Sequence, residues 1–187
     1  RRVTITCSPN FGYRHFLRTL GDKTLDGVDL SSVRLIFNGA EPISVELVEE
    51  FLDRMAPYGL KRNAMFPVYG LAEASLAVSF PPPGSGHRYI TVDRRSLGVG
   101  SAARHVDAID PTALRLMCEG KPIPYTRVKL VDDAGLEVAP GHVGHVLIQG
   151  ENVTRGYFRN PDANAATIDA EGWLRTGDLG LWHEDEI

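Results

Sequence analysis

Short β-rich runs alternate with helical periodicity along the first eighty residues. Residues 3–7 form a β-branched run that stops at Ser8-Pro9-Asn10, a turn combination. Phe16, Leu17 and Leu20 then recur at helical spacing until Gly21. Residues 33–37 predict a second strand, ended by Asn38-Gly39. The clearest helix follows. Ser44 is placed to cap it, and Val45, Val48, Leu52 and Met55 repeat at three and four residues with Leu47 and Phe51 beside them. Glu46, Glu49, Glu50 and Asp53 fall on the opposite, solvated face, and Gly59 closes the element. Residues 64–69 predict a third strand, with Pro67 weakening its centre. Such strand–helix–strand alternation implies a parallel sheet covered by helices.

The pattern changes at Phe80-Pro81-Pro82-Pro83-Gly84-Ser85-Gly86. Residues 127–132 alternate polar and apolar side chains, Asp133-Ala134-Gly135 and Pro140-Gly141 mark turns, and residues 145–150 predict another strand. The expected fold class is α/β: a parallel-sheet α/β subdomain over residues 1–80, a linker and insertion over 81–122, and an antiparallel, β-barrel-like subdomain over 123–187.

Composition narrows the classes. With 187 residues and 43% hydrophobic content, the chain can bury a core without disulfides or a structural metal. A net charge of −4 and scattered arginines argue against nucleic acid as a main partner. Cys7 and Cys118 are far apart and form no CxxC pair, so both are expected as reduced thiols in a cytoplasmic protein. No apolar run approaches the ~20 residues of a membrane span, and no signal peptide is visible. The chain opens on Arg1-Arg2 directly before a strand and stops on an acidic stretch, the expectation for an internal fragment.

In open parallel sheets, ligands bind beyond the carboxyl ends of the strands. Three such ends carry special residues: Ser8-Pro9-Asn10-Phe11-Gly12-Tyr13, Asn38-Gly39-Ala40-Glu41-Pro42 and Tyr69-Gly70-Leu71-Ala72-Glu73. Glycines there admit a flat base close to the backbone, Tyr69 offers a stacking face, and Glu73 offers a hard oxygen ligand suited to Mg²⁺. Gly98-Val99-Gly100-Ser101-Ala102-Ala103 mimics a dinucleotide fingerprint, but Asp93-Arg94-Arg95-Ser96 is a poor end for the buried strand that motif requires. It is expected as flexible backbone within the insertion. His142 and His145 flank a strand without a third ligand in view and are expected as surface or packing residues. Trp173 is expected to be a buried aromatic of the barrel.

The tyrosine segment, Tyr69-Gly70-Leu71-Ala72-Glu73-Ala74-Ser75-Leu76, resembles the Tyr-Gly-x-x-Glu motif of the adenylate-forming superfamily of acyl-CoA synthetases, luciferases and peptide-synthetase adenylation domains. Gly156-Tyr157-Phe158-Arg159-Asn160-Pro161-Asp162 and Gly172-Trp173-Leu174-Arg175-Thr176-Gly177-Asp178-Leu179-Gly180 resemble two further motifs of that superfamily, in the same order. Asp29-Leu30-Ser31-Ser32, the run from Phe37 to Pro42, Ser8-Pro9-Asn10-Phe11-Gly12-Tyr13, and Ala72 in place of threonine look like fatty acyl-AMP ligases. So does the long stretch from Tyr69 to Gly120-Lys121-Pro122, which resembles the insertion that hinders CoA-dependent thioester formation in that subfamily.

The resemblance implies ATP and Mg²⁺ as cofactors and a fatty acid as substrate. An acyl carrier protein's phosphopantetheine, or alternatively CoA, would be the acceptor. It implies that Gly39, Ala40 and Glu41 border the adenine, that Tyr69 stacks on it with Gly70, Leu71 and Ala72 alongside, and that Asp178 grips the ribose hydroxyls. Glu73 would bind Mg²⁺, and Asn10, Phe11, Gly12 and Tyr13 would line the acyl pocket. The superfamily's phosphate loop is expected before Arg1 and its catalytic lysine after Ile187, so no catalytic residue is expected here and the fragment alone should be inactive. His145 stands where the superfamily usually has glutamate, which questions local strand packing. The alternatives are an acyl-CoA synthetase and a non-catalytic carrier-binding module.

Overall fold

The apolar runs of the first seventy residues pair as a parallel sheet in the computed structural model, which describes residues 2–187. Arg1, where the sequence reading begins its α/β subdomain, lies outside the described residues. Strands β1 (Ile5–Cys7), β2 (Leu35–Asn38) and β3 (Met65–Pro67) lie in that order, with Thr6 opposite Ile36 and Phe37 opposite Phe66. Pro67 is tolerated because it ends an edge strand; bonding resumes at once, Val68 N–H donating to the Asn38 carbonyl at 2.9 Å.

Helices α1 (Asn10–Leu20) and α2 (Val45–Met55) make the crossovers. Ser44 caps α2, its hydroxyl accepting from the Leu47 amide at 3.2 Å. The apolar stripe Val45, Leu47, Val48, Leu52 and Met55 is buried as its spacing predicts. A 3-10 turn, Ala56–Tyr58, tightens the end, and Gly59 takes the left-handed conformation at φ +85°. The core of this layer joins α2 to Tyr13, Leu17 and Leu20 of α1 and to Ile36 and Met65 of the sheet, with the Tyr13 and Phe51 rings 4.9 Å apart. Helix α1 starts earlier than its periodicity suggested, so Asn10–Tyr13, read as strand-end loop, form its first turn.

The remaining strands are β4 (Ser79–Phe80), β5 (Arg88–Asp93), β6 (Ala113–Cys118), β7 (Lys121–Pro122), β8 (Thr126–Val131), β9 (Gly144–Gly150) and β10 (Leu174–Gly180), with helix α3 (Pro161–Thr167) before the last. The stretch read as linker and insertion thus carries the paired strands β5 and β6, and its last strand, β7, pairs with β4 just before it. The chain divides into two compact units. Unit 1 holds residues up to Tyr69 together with Phe80–Ile90 and Arg115–Gly120; unit 2 holds Gly70–Ser79, Thr91–Leu114 and Lys121–Ile187.

In unit 2, β8, β9 and β10 form an antiparallel sheet with β9 central, Leu130 opposite Val146 and Val128 opposite Ile148. Among the described residues this sheet is open and does not close into a barrel. Trp173 is half-buried instead of fully enclosed, because the Lys129 ammonium and Arg127 guanidinium lie 4.2 and 5.4 Å from its ring centroid. His145 fits β9 opposite Val131, its Nε2 2.9 Å from Asp133 Oδ1, so the strand accommodates the replacement. The glycine-rich stretch, expected as flexible backbone, is hydrogen-bonded to the segment before β9. Gly100 N–H donates to Val143 O at 2.8 Å and Ala103 N–H to Gly141 O at 2.9 Å. A 3-10 turn precedes it and no helix follows, so a dinucleotide fingerprint is excluded.

Asp93 anchors this part of unit 2. It is buried, accepts from the Arg95 amide at 3.0 Å and from two Arg95 guanidinium nitrogens at 3.1 Å, and is bonded by Arg104. The Arg95 hydrogen bonds, foremost, hold its carboxyl far below the usual carboxylate range.

Leu52→Ala should cost about 2–5 kcal/mol and Ser44→Ala about 1 kcal/mol in urea unfolding. Because the folded Asp93 carboxyl is depressed, its contribution is complete above the unfolded value of about 3.9 and is lost as pH falls below it. Asp93→Asn should therefore flatten the acid limb of the stability–pH profile; an unchanged limb would count against the anchor.

Candidate functional site

In unit 1 the ends of β2 and β3 approach so closely that residue 39 has no room for a side chain. A Cβ on Gly39 would fall 2.5 Å from the Val68 carbonyl oxygen. The next residue, Ala40, is exposed and held at φ +68°, a left-handed conformation uncommon for alanine. Glu41 is also exposed, and its Oε1 accepts from the Phe11 amide at 2.8 Å, placing a carboxylate at the positive end of α1. Asn10 is buried beneath: its amide donates to the Pro42 carbonyl, and Asn38 Nδ2 donates to Asn10 Oδ1 at 3.3 Å. These bonds knit the two loops together.

The four residues assigned to an acyl pocket therefore divide. Phe11 is 69% exposed, and Gly12 packs against the Ser8 hydroxyl, which a Cβ at residue 12 would force to rotate away. Tyr13 turns inward, its hydroxyl donating to the Phe37 carbonyl at 2.8 Å, and burial pushes its phenol above the ordinary range. Asn10 is likewise engaged within the fold. Tyr69 is half-buried just beyond β3.

In unit 2 the segment after Tyr69 reverses sharply. A Cβ on Gly70 would lie 1.7 Å from the Leu76 carbonyl oxygen, so only glycine closes the turn. Leu71 leads into a 3-10 turn, Ala72–Ala74, and its carbonyl accepts from both the Ala74 and Leu76 amides. Ser75 and Leu76 follow at φ +51° and +94°. Asn152 holds this turn, its Nδ2 donating to the carbonyls of Ala74 at 3.2 Å and Ala77 at 2.8 Å. The Ser75 hydroxyl donates back to the Asn152 carbonyl at 2.9 Å.

Glu73 is half-buried on the turn. Its carbonyl accepts from the Thr154 amide at 2.7 Å, and its carboxylate Oε1 accepts from the Tyr157 hydroxyl at 2.7 Å. Donating this hydrogen bond to the carboxylate raises the Tyr157 phenol above its ordinary value. Oε2 receives no hydrogen bond from the described residues. Asp178 lies where β10 breaks register between Arg175 and Leu179. Gly177 at φ +86° makes the bulge, Thr176 Oγ1 donates to Val146 O at 2.9 Å, and the Asp178 amide bonds Thr176 Oγ1 at 3.1 Å. Such bulges re-aim side chains, and Asp178 is exposed.

Sequence reasoning missed the support beneath Glu73. Tyr157 belonged to a recognised motif but carried no assigned role, and Asn152 and Thr154 were not singled out. No local pattern links residue 157 to residue 73. His142 and His145 bond Pro140 O and Asp133 instead of sharing a ligand.

Residues 1–158 match the family model described as "AMP-binding enzyme". The chain is 38% identical over 198 residues to a 4-hydroxyphenylalkanoate adenylyltransferase of Mycobacterium marinum, covering 100% of this chain and 32% of that protein. It is 36% identical over 194 residues to a long-chain-fatty-acid–AMP ligase of Mycobacterium tuberculosis, covering 97% and 33%. Its fold superposes with a TM-score of 0.91, at 34% identity, on a fatty acyl-adenylate ligase of L. pneumophila solved with acyl adenylate and pyrophosphate, covering 98% of this chain and 33% of that one. The chain thus spans about a third of the length of these relatives. With the family model matched over most of its length, the chain belongs to the AMP-binding, adenylate-forming enzyme family.

Proposed function

We propose that the protein containing this chain activates a fatty carboxylic acid with ATP, forming an acyl-adenylate, and passes the acyl group to the phosphopantetheine arm of an acyl carrier protein. The observation that carries this reading is a Tyr69–Glu73 turn and an Asp178 bulge in a chain whose relatives are named as acid–AMP ligases. In the reaction a carboxylate oxygen bonds to the α-phosphorus while the bond to the bridging oxygen of the β-phosphate breaks. That electron pair leaves with pyrophosphate. The protein's share is to orient two anions and to offset charge at phosphorus.

On this reading Gly39, Ala40 and Glu41 border the adenine, the missing side chain at Gly39 letting this loop pack closely on Val68. Tyr69 stacks on the ring, and Gly70, Leu71 and Ala72 continue the wall. Asp178 accepts from both ribose hydroxyls, the charge-assisted arrangement that a single carboxylate can offer a cis diol. Phe11 and Gly12 face the acyl chain, with Asn10 and Tyr13 supporting their helical turn. Glu73 suits Mg²⁺: a half-buried carboxylate with one oxygen unbonded among the described residues matches a cation that takes one or two carboxylates plus substrate phosphates. Bound there, Mg²⁺ supplies charge neutralisation at the phosphates. The carrier-protein acceptor is supported by Ala72 and by the length and order of residues 81–122. No helix of the described residues is long and apolar enough to cross a membrane, and a cytoplasmic location belongs to the proposal.

Exchange of labelled pyrophosphate into ATP by the full-length protein tests the enzyme reading. Exchange should depend on a fatty acid; 4-hydroxyphenylalkanoates serve as the rival substrate series. No exchange with any acid would leave a non-catalytic carrier-binding module. With ATP, acid, CoA and a carrier protein supplied together, acyl-carrier product is expected, and abundant acyl-CoA would overturn the acceptor. Asp178→Ala should weaken ATP binding by about 1.5–3 kcal/mol, read by calorimetry. Unchanged affinity would remove Asp178 from the ribose.

A further inference from the structure

Glu73 sits on a short turn, and a glutamate side chain loses considerable rotamer freedom when it is fixed on a cation. Something must hold the carboxylate if a single residue is to serve as the metal's protein ligand. In unit 2 that holding group is visible. The Tyr157 hydroxyl donates to Glu73 Oε1 at 2.7 Å, and Oε2 is left without a protein partner among the described residues.

The tyrosine is itself fixed from behind. Its amide donates to Asn164 Oδ1 at 2.6 Å, and Asn164 Nδ2 donates to its carbonyl at 3.1 Å, so one side chain of α3 clasps the main chain of residue 157 at both ends. Gly156 lets this happen, since a Cβ there would fall 2.7 Å from Asn164 Oδ1. Three residues earlier, the Thr154 amide bonds the Glu73 carbonyl at 2.7 Å. Segment 154–157 therefore grips both the main chain and the side chain of Glu73. The hydroxyl takes one carboxylate oxygen and leaves the other for monodentate coordination, the mode a small octahedral cation accepts.

We propose that Tyr157, aligned by Asn164, is the positioning residue of the metal carboxylate Glu73, fixing its rotamer so that Oε2 faces the cation. The inference rests on the reading of Glu73 as the magnesium ligand. Partners of this kind, one bond behind a metal ligand, change metal affinity by about 10–100-fold when removed.

The test uses the full-length protein with an ATP analogue whose α,β-bridging oxygen is a methylene, so that no turnover occurs. Mn²⁺ serves as the probe, its binding read by electron paramagnetic resonance. Tyr157→Phe keeps the ring and deletes the donor; it should weaken Mn²⁺ binding by about 10-fold or more with the melting temperature maintained. With ATP in place of the analogue, the Mg²⁺ concentration for half-maximal rate should rise in parallel, while the KM for the acid stays put. Glu73→Gln is the companion variant. If Glu73→Gln abolishes Mn²⁺ binding and Tyr157→Phe binds like wild type, the positioning role is wrong and the ligand reading survives. If both bind like wild type, the ligand reading falls and the inference falls with it. Should Tyr157→Phe fail to fold, Asn164→Ala tests the same alignment with the hydroxyl retained. A folded Asn164→Ala protein with wild-type Mn²⁺ affinity would overturn the alignment.

Discussion

The turn that presents Glu73 closes only because residue 70 has no side chain. The Leu76 carbonyl occupies the volume a Cβ would need, and the chain then passes through two consecutive left-handed residues, Ser75 and Leu76. Conformations of that kind cost of order 1–3 kcal/mol each and persist where the surroundings over-determine them. Here the surroundings are Asn152. Its amide nitrogen bonds two carbonyls of the turn, and its amide oxygen accepts from Thr126 Oγ1 at 2.9 Å at the start of β8. Since Asn152 follows directly on β9, the antiparallel sheet is the frame on which the turn is strained into shape. The Asp178 bulge uses the same strand, Thr176 bonding the carbonyl of Val146. One sheet thus orients both carboxylates.

The parts legible in sequence were those written locally. Ser44, the apolar stripe from Val45 to Met55, and Gly59 each carry their own instruction, and α2 follows it. The start of α1 was not legible because Pro9-Asn10-Phe11-Gly12 reads as a turn. What makes it helical is remote: Glu41 accepting from the Phe11 amide and the burial of Asn10 under Pro42. Helix α3 did have a local mark, with Asn160 capping through Ala163 and Pro161 at the first helical position, but those residues were read as a motif instead of an element. The order of residues 81–122 was hidden for a different reason. Its proline and glycine start suggests a linker, whereas β5 and β6 pair across the connection 94–112 and Asp93 recruits Arg104 from the far side of the glycine-rich turn. Motif resemblance singled out Tyr69–Glu73 and Asp178 without pointing to what supports them. The Tyr157–Glu73 bond spans 84 residues, and no periodicity encodes it.

Helix α3 has seven residues, well short of the length at which a helix holds itself together in water. None of its residues is buried, so it has little apolar surface with which to resist fraying. Yet Asn164, in its middle, is what aligns the tyrosine behind Glu73. The Glu73 carboxylate is therefore tied, through Tyr157, to a short exposed helix as well as to the sheet, so that loosening α3 would relax this side chain without unfolding the unit around it.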